Sequence, residues 1–146
     1  MSNIQLRYTV LKNLATCKLW AFSDAAHANL KGHGSQLGYV IFLVDKAGNA
    51  NVLKWCSKKI ARVVKSSKAA ETLALLETAD DAFFLKKIIE STLGIPDSIE
   101  VICFTDNMSI VDHVTKSTTT LSDFRLKGAG GGSSGIFFRN RLFGCF

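Results

Sequence analysis

The chain has 146 residues, a length that suits a single domain with a real hydrophobic core. Its 47% apolar and 21% charged residues exclude a disordered chain. No apolar run reaches the roughly 20 residues of a membrane span, and no secretory signal is recognisable, so we expect no membrane partner. The four scattered cysteines (Cys17, Cys56, Cys103 and Cys145) read as reduced thiols of a cytosolic or nuclear protein.

The first predicted elements are three strands. Residues 17–25, CKLWAFSDA, are rich in β-formers and aromatic residues and end near Asp24. Residues 37–59 predict a hairpin, with one strand to Val44, a turn at DKAGN, and a return strand through Trp55. Five aromatic residues are most simply explained as core: Trp20, Tyr39, Trp55, Phe83 and Phe84.

A run of cations follows the hairpin, and the net charge of the chain is +6. No acid interrupts this run, which suits a polyanion such as a nucleic acid; an ordinary solvated basic face is the alternative. Its members are Lys54, Lys58, Lys59, Arg62, Lys65 and Lys68.

The clearest predicted element is a helix over residues 66–94, with Ser66 or Ser67 as its N-cap and Gly94 at its end. An almost wholly apolar strand, 98–106, and a short helix, 107–117, come next. The order βββαβα predicts an α/β fold in which strand 98–106 lies parallel to strand 17–25, because a helix crosses between strands.

This topology brings acidic residues together. Both parallel strands end in an acid, Asp24 and Asp106, and the ends of parallel strands share one edge of the sheet. The crossover helix adds Glu71 in its first turn, with Glu77 and Asp80 as alternatives. Converging carboxylates repel one another, and oxygen ligands favour a hard cation, so we expect Mg²⁺ or Mn²⁺. Each acid taken alone would be a turn, cap or helix N-terminal residue.

Three stretches carry a resemblance to a known family. They are WAFSDAAHANL, the segment from GSQLGYVIFLVDKAGNANVLKWCSKK through SSKAAETLALLE, and VICFTDNMSIVDHV. Over residues 15–127 the chain resembles the ribonuclease H domain of copia-type (Ty1/copia) retrotransposon Pol polyproteins.

The resemblance implies a fold and an activity. The fold is a ribonuclease H-like mixed sheet, with three antiparallel strands plus a parallel fourth, and crossover helices. The activity is cleavage of the RNA strand of RNA–DNA hybrids with two Mg²⁺ ions, in a polyprotein that also carries a reverse transcriptase. The metal-binding acids of the family fall on Asp24, Glu71 and Asp106.

Further roles follow from this activity. The cations of the basic run would contact backbone phosphates. The polar residues beside the acids, Ser23, Asn107 and Ser109, are candidates for reading the 2′-hydroxyls of RNA. A cytoplasmic location is expected, with a virus-like particle or the nucleus as alternatives.

The chain departs from the family after residue 127. We expect an incomplete ribonuclease H-like domain over 1–127, lacking the family's last strand and helix, then a flexible Gly/Ser linker over 128–135 and an apolar tail over 136–146. No acid follows Asp123, so the family's fourth metal-binding acid has no counterpart. The tail could pair with the exposed edge of strand 98–106 as a surrogate strand, or stay disordered.

Two functions of different class are therefore open. One is a metal-dependent endonuclease for RNA–DNA hybrids, impaired or not by the absent fourth acid. The other is a non-catalytic relic that keeps the fold and nucleic-acid binding. Another nuclease or transposase built on the same fold is a third, less specific possibility.

Overall fold

A computed structural model describes residues 5–30, 34–61, 63–107, 109–112 and 136–140. A short 3₁₀ turn, Leu14–Thr16, precedes the first strand. The main elements are β1 (Lys18–Leu30), β2 (Gly34–Val44), β3 (Ala50–Lys59), α1 (Ser67–Leu93), β4 (Glu100–Thr105) and β5 (Ile136–Asn140).

The five strands form one mixed sheet in the order β3-β2-β1-β4-β5. β1 pairs antiparallel with β2, and β2 pairs antiparallel with β3. β4 lies parallel to β1, as the sequence predicted. β5 then pairs parallel with β4, from Val101 opposite Ile136 to Thr105 opposite Asn140. Residues 136–140 thus occupy the edge at which the surrogate strand was expected.

Period-two burial shows which face of the sheet meets the helix. In β2 the buried side chains are Ser35, Leu37, Tyr39, Ile41 and Leu43, and the residues between them are less buried. Most of these buried residues join the hydrophobic core together with small residues of α1 such as Ala74 and Ala82. The core therefore lies between α1 and one face of the sheet, which we call the helix face; the opposite side is the outer face.

Local chemistry fixes the ends of the elements. The Ser66 hydroxyl accepts a hydrogen bond of 3.1 Å from the Ala69 backbone N–H, and Gly94 takes the left-handed conformation (φ 65°) at the end of α1. In the hairpin turn, the carboxylate of Asp45 accepts hydrogen bonds from the backbone N–H groups of Ala47 and Asn49, both 2.9 Å. These are the caps and the turn that the sequence indicated.

Several boundaries differ from the prediction. β1 continues to Leu30 because its antiparallel pairing with β2 extends to Leu30 opposite Gly34. Asp24 therefore lies in the middle of β1, and the prediction that the strand ends there was wrong. β3 ends at Lys59, where the predicted hairpin also ends. Of the predicted helix 107–117, residues 109–112 are helical and the rest lies outside the described residues. Linker residues 128–135 and tail residues 141–146 also lie outside them.

Two aromatic residues assigned to the core are on the surface: Trp55 is 67% exposed and Phe84 is 62% exposed. Trp55 lies on the edge strand β3, and Phe84 lies on the solvent side of α1. None of the helical segments that the structure describes combines the length and the apolar composition that a membrane span requires.

Candidate nucleic-acid and metal site

Asp24, in the middle of β1, and Asp106, directly after β4, both follow the last registered pair of these two parallel strands. The parallel register places Phe22 opposite Phe104, and the Ser23 hydroxyl donates a 3.5 Å hydrogen bond to the Phe104 carbonyl. Asp24 and Asp106 each lie two residues beyond that pair, and both are exposed. Since paired strands are about 4.8 Å apart, these two carboxylates belong to neighbouring positions.

Strand alternation places Asp24 on the outer face of the sheet. The ring of Phe22 stacks on Phe104, with centroids 4.6 Å apart, and makes an edge contact with Phe42. These rings lie on the outer face, because Ala21 and Ile41 next to them belong to the core on the helix face. Asp24 shares the orientation of Phe22, and its carboxylate accepts a hydrogen bond of 2.8 Å from the Ala25 backbone.

Glu71 is the fifth residue of α1, so it opens the second helical turn; the prediction that it lies in the first turn was wrong. Both of its carboxylate oxygens have donors. The Ser67 hydroxyl donates to Oε1 at 3.1 Å, and the Asn107 side-chain amide donates to Oε2 at 2.6 Å. The hydrogen bond from Asn107 brings Glu71 beside the residue that follows Asp106.

The polar residues predicted to read 2′-hydroxyls have protein partners. Ser23 is only 5% exposed, and its hydroxyl ties β1 to β4. The Asn107 side-chain oxygen accepts hydrogen bonds from the Ser109 backbone N–H at 3.0 Å and from the Ser109 hydroxyl at 2.8 Å. In this arrangement Asn107 and Ser109 cap the helical turn at 109–112 and orient Glu71.

The donor set suits a hard divalent cation, because the three acids offer only oxygen ligands. The positions of these acids in the structure do not form such a site. The described residues contain no group of three or more His, Cys, Asp and Glu side chains placed to hold a metal ion. The physical reason is that Asp24 belongs to the outer face, whereas Glu71 lies on the helix packed against the other face. Glu77, one alternative to Glu71, is engaged by Lys58. The three-acid metal site remains a prediction.

The basic run is divided between two environments. Lys54 forms a 2.8 Å ion pair with Asp81, and Lys58 forms an ion pair with Glu77, so both lysines tie β3 to α1. The positive charge of the basic run is thus partly neutralised in the folded chain by acids of α1. Lys59, Lys65 and Lys68 are exposed and have no ion pair among the described residues. Arg62 lies outside the described residues.

The ion pairs also shift pKa values. Burial first raises the pKa of Tyr39, and the Asp81 carboxylate that accepts its hydroxyl hydrogen raises it further. Burial works to raise the pKa of Asp81 as well, but hydrogen bonds from Lys54 and Tyr39 outweigh it and lower the value. The hydrogen bond with Glu77 raises the pKa of Lys58. This cluster therefore holds fixed charges that join β2, β3 and α1.

A shallow depression beside Asp24 was missed by sequence reasoning. It lies on the outer face and is lined by Asp24, Gln36, Gly38 and Ser57, among others. The pairing registers place Asp24 opposite Gly38 and Gly38 opposite Ser57, so these residues form a row across three strands. Gln36 Nε2 donates a hydrogen bond of 2.8 Å to the Ser57 hydroxyl. The alternation W-C-S-K-K in β3 was the available signal, since it places Trp55, Ser57 and Lys59 on one face.

No protein-family model matches the sequence, and no curated protein matches it either. Solved structures do resemble it. LC11-RNase H1 in complex with an RNA/DNA hybrid is 16% identical, with a TM-score of 0.50 over 84% of this chain and 83% of that one. LC11-RNase H1, isolated from compost by a metagenomic approach, is 17% identical in a second structure with the same score and coverage. RNase H1 from the halophilic archaeon Halobacterium salinarum is 15% identical, with a TM-score of 0.49 over 84% of each chain.

At this level of identity the likeness concerns the path of the chain. The shared features are the antiparallel β1–β3 meander, the parallel β4, and the helix α1 between β3 and β4. The chain therefore has the ribonuclease H fold.

Proposed function

We propose that the protein is a metal-dependent endonuclease that hydrolyses the RNA strand of RNA–DNA hybrids. The observation that supports the proposal is the parallel pairing of β1 and β4, whose last registered pair, Phe22 with Phe104, lies two residues before Asp24 and Asp106. A solved structure of the same fold, LC11-RNase H1, is a complex with an RNA/DNA hybrid. The sequence motifs around these acids further favour an origin in a copia-type retrotransposon Pol polyprotein, with its reverse transcriptase domain as a partner.

The cofactor of the proposed reaction is Mg²⁺, as two ions, with Mn²⁺ as a substitute. Asp24 and Asp106 would hold the cation they share, and Glu71, which is hydrogen-bonded to Asn107, would supply the third carboxylate. The chemistry that bound ions supply here is a lowered pKa for the attacking water and stabilisation of the leaving 3′ oxygen. Asp24, Glu71 and Asp106 are accordingly the residues whose loss should abolish hydrolysis.

Nucleic-acid affinity would come mainly from the exposed part of the basic run. Lys59, Lys65 and Lys68 are available for phosphates, and Arg62 belongs to the same segment. Lys54 and Lys58 would contribute less, because they already pair with acids of α1. We place this activity in the cytoplasm, within a virus-like particle or outside one, or in the nucleus.

A second candidate is a non-catalytic module that binds nucleic acid. It is favoured by one observation: within the described residues no three-ligand group forms, and the carboxylate of Glu71 is hydrogen-bonded to Ser67 and Asn107. Under this alternative the fold and the basic surface are kept while hydrolysis is lost.

A cleavage assay separates the two. A labelled RNA–DNA hybrid is incubated with the full chain and Mg²⁺ or Mn²⁺, next to Asp24→Asn and the control Asp97→Asn, an aspartate that pairs with Lys87. If the protein is an endonuclease, we expect metal-dependent cutting of the RNA strand that Asp24→Asn abolishes and Asp97→Asn retains. Binding without cutting at every metal concentration supports the non-catalytic module instead.

A further inference from the structure

The edge strand β3 has two chemically different sides. Lys54, Cys56 and Lys58 lie opposite Ile41, Tyr39 and Leu37 of β2, which belong to the core, so they are on the helix face. There Lys54 and Lys58 pair with Asp81 and Glu77.

The alternate residues of β3 make up the outer side. Trp55, Ser57 and Lys59 lie opposite Val40, Gly38 and Gln36, which lie between the core residues of β2 and belong to the outer face. We call these three residues the β3 row. An aromatic, a hydroxyl and a cation thus follow one another at the spacing of every second residue.

The β3 row is open to solvent. Trp55 is 67% exposed, an unusual position for an indole, and Lys59 is exposed with no acid paired to it among the described residues. An exposed aromatic ring next to an uncompensated cation is the combination that binds a nucleic-acid strand, since the ring stacks on a base and the cation meets a phosphate.

Gln36 adds polar groups between the β3 row and the acidic edge. Its side-chain nitrogen donates to the Ser57 hydroxyl, which leaves the Gln36 carbonyl oxygen as an acceptor and the Ser57 hydroxyl hydrogen as a donor. Both groups line the depression that Asp24 also lines. Gly38 forms the floor between them without a side chain in the way.

We propose that the β3 row and Gln36 form a binding surface for one strand of a nucleic acid, with a base stacked on Trp55 and a phosphate on Lys59. Gln36 and Ser57 would contact the sugar that lies between this base and this phosphate. The direction of the strand, leading to Asp24, rests on the proposed function; the binding itself does not.

The dimensions are compatible with a continuous strand. Ser57 and Asp24 are two strand spacings apart, about 10 Å at 4.8 Å per strand. A stacked nucleic-acid strand advances about 3.4 Å per nucleotide, so about three nucleotides would connect the β3 row to the acidic edge.

The test measures binding rather than cleavage, in full-length Asp24→Asn without a divalent metal. Fluorescence anisotropy gives the Kd for a labelled RNA–DNA hybrid, its RNA strand and its DNA strand, across a salt series. The variants are Trp55→Leu and Lys59→Gln. Their matched controls are Phe84→Leu, an equally exposed aromatic residue on α1, and Lys46→Gln, an exposed lysine in the hairpin turn.

We expect Trp55→Leu to raise the Kd about tenfold, the loss of one stacked base. Lys59→Gln should reduce the slope of log K against log salt by about 0.7 to 0.9. The controls should bind like the parent. The proposal is overturned if Trp55→Leu and Lys59→Gln also bind like the parent, or if the controls weaken binding equally.

Self-association is the other way in which an exposed tryptophan could be used. If Trp55→Leu turns a dimer into a monomer in sedimentation while nucleic-acid affinity is unchanged, the proposal is wrong. Hydrolysis is scored separately on the chain with native Asp24. Binding that depends on Trp55, without any cleavage, would refute the endonuclease and support this binding surface. Cleavage together with binding that does not depend on Trp55 would support the endonuclease and refute the binding surface.

Discussion

The side-chain amide of Asn107 donates a 2.6 Å hydrogen bond to Oε2 of Glu71, joining the residue after Asp106 to the start of α1. This contact holds Glu71 close to the carboxyl end of β4 but occupies one of the oxygens that a cation would need. The Ser67 hydroxyl occupies the other. The hydrogen bond from Asn107 therefore restrains the Glu71 carboxylate, and a metal ion would have to displace this hydrogen bond in order to bind Glu71.

Removal of the Asn107 side chain should favour metal binding. In Asn107→Ala, Oε2 of Glu71 loses a charged hydrogen bond, a contact worth about 1.5–3 kcal/mol. Because about 1.4 kcal/mol is a factor of ten, we expect Mn²⁺ to bind about ten- to 150-fold more tightly. Isothermal titration with Mn²⁺ measures this directly. The double variant Asn107→Ala/Glu71→Gln is the control, and it should lose the gain. Equal affinities in the parent and Asn107→Ala would mean that Asn107 does not restrain Glu71.

The two groups of lysines should respond differently to neutralisation. Lys54→Gln and Lys58→Gln break ion pairs to α1, so they should lower the free energy of unfolding by up to about 1 kcal/mol each and leave the salt dependence of nucleic-acid binding nearly unchanged. Lys65→Gln and Lys68→Gln should do the opposite, reducing the salt slope by about 0.7 to 0.9 each. Urea unfolding and anisotropy on the same four variants check both halves. The division of the basic run would be wrong if Lys54→Gln and Lys58→Gln reduced the salt slope while Lys65→Gln and Lys68→Gln lowered the free energy of unfolding.

Stability should depend on pH through Asp81. Its folded pKa is lowered because hydrogen bonds from Lys54 and Tyr39 outweigh the effect of burial. The ionised carboxylate therefore stabilises the fold above the unfolded aspartate pKa of about 3.9, and this stabilisation is lost as pH falls through the lowered folded value. Between about pH 6 and about pH 2, the free energy of unfolding in urea should decrease less in Asp81→Asn than in the parent. Parallel curves would show that Asp81 is not held in its charged form.

Cysteine reactivity should follow burial. Burial raises the pKa of the Cys103 thiol to about 12 and also raises the pKa of Cys17, so neither should react in the folded chain. Cys56 is partly accessible on β3 and should be alkylated. Mass spectrometry after a maleimide pulse, with and without denaturant, gives the labelling of each site. Fast labelling of Cys103 in the folded chain would contradict the position of β4 inside the sheet, between β1 and β5.

The parts of the fold that depend on neighbouring residues were predictable from the sequence. Ser66 and Gly94 mark the ends of α1, and Asp45, Asn49 and Gly48 mark the hairpin turn, because caps and turns are chosen by local backbone geometry. The parallel pairing of β1 and β4 also followed, since a helical crossover favours parallel strands.

Contacts that depend on how elements rotate against one another were not predictable. The pairing of Lys54 with Asp81 requires knowing that Lys54 and Lys58 of β3 face α1. The exposure of Trp55 requires knowing that β3 is an edge strand whose outer face is open. Glu71 was assigned correctly to α1, but its partner Asn107 is 36 residues away and on another element. No local pattern records such a contact.

The proposed nuclease activity depends on a cation bound between Asp24 and Asp106. Anomalous diffraction from crystals soaked in Mn²⁺ tests it directly. We predict an anomalous peak within about 2.5 Å of a carboxylate oxygen of both residues, a peak that is lost in Asp24→Asn. Ordered carboxylates with no peak between them, or Mn²⁺ bound only elsewhere, would contradict the account.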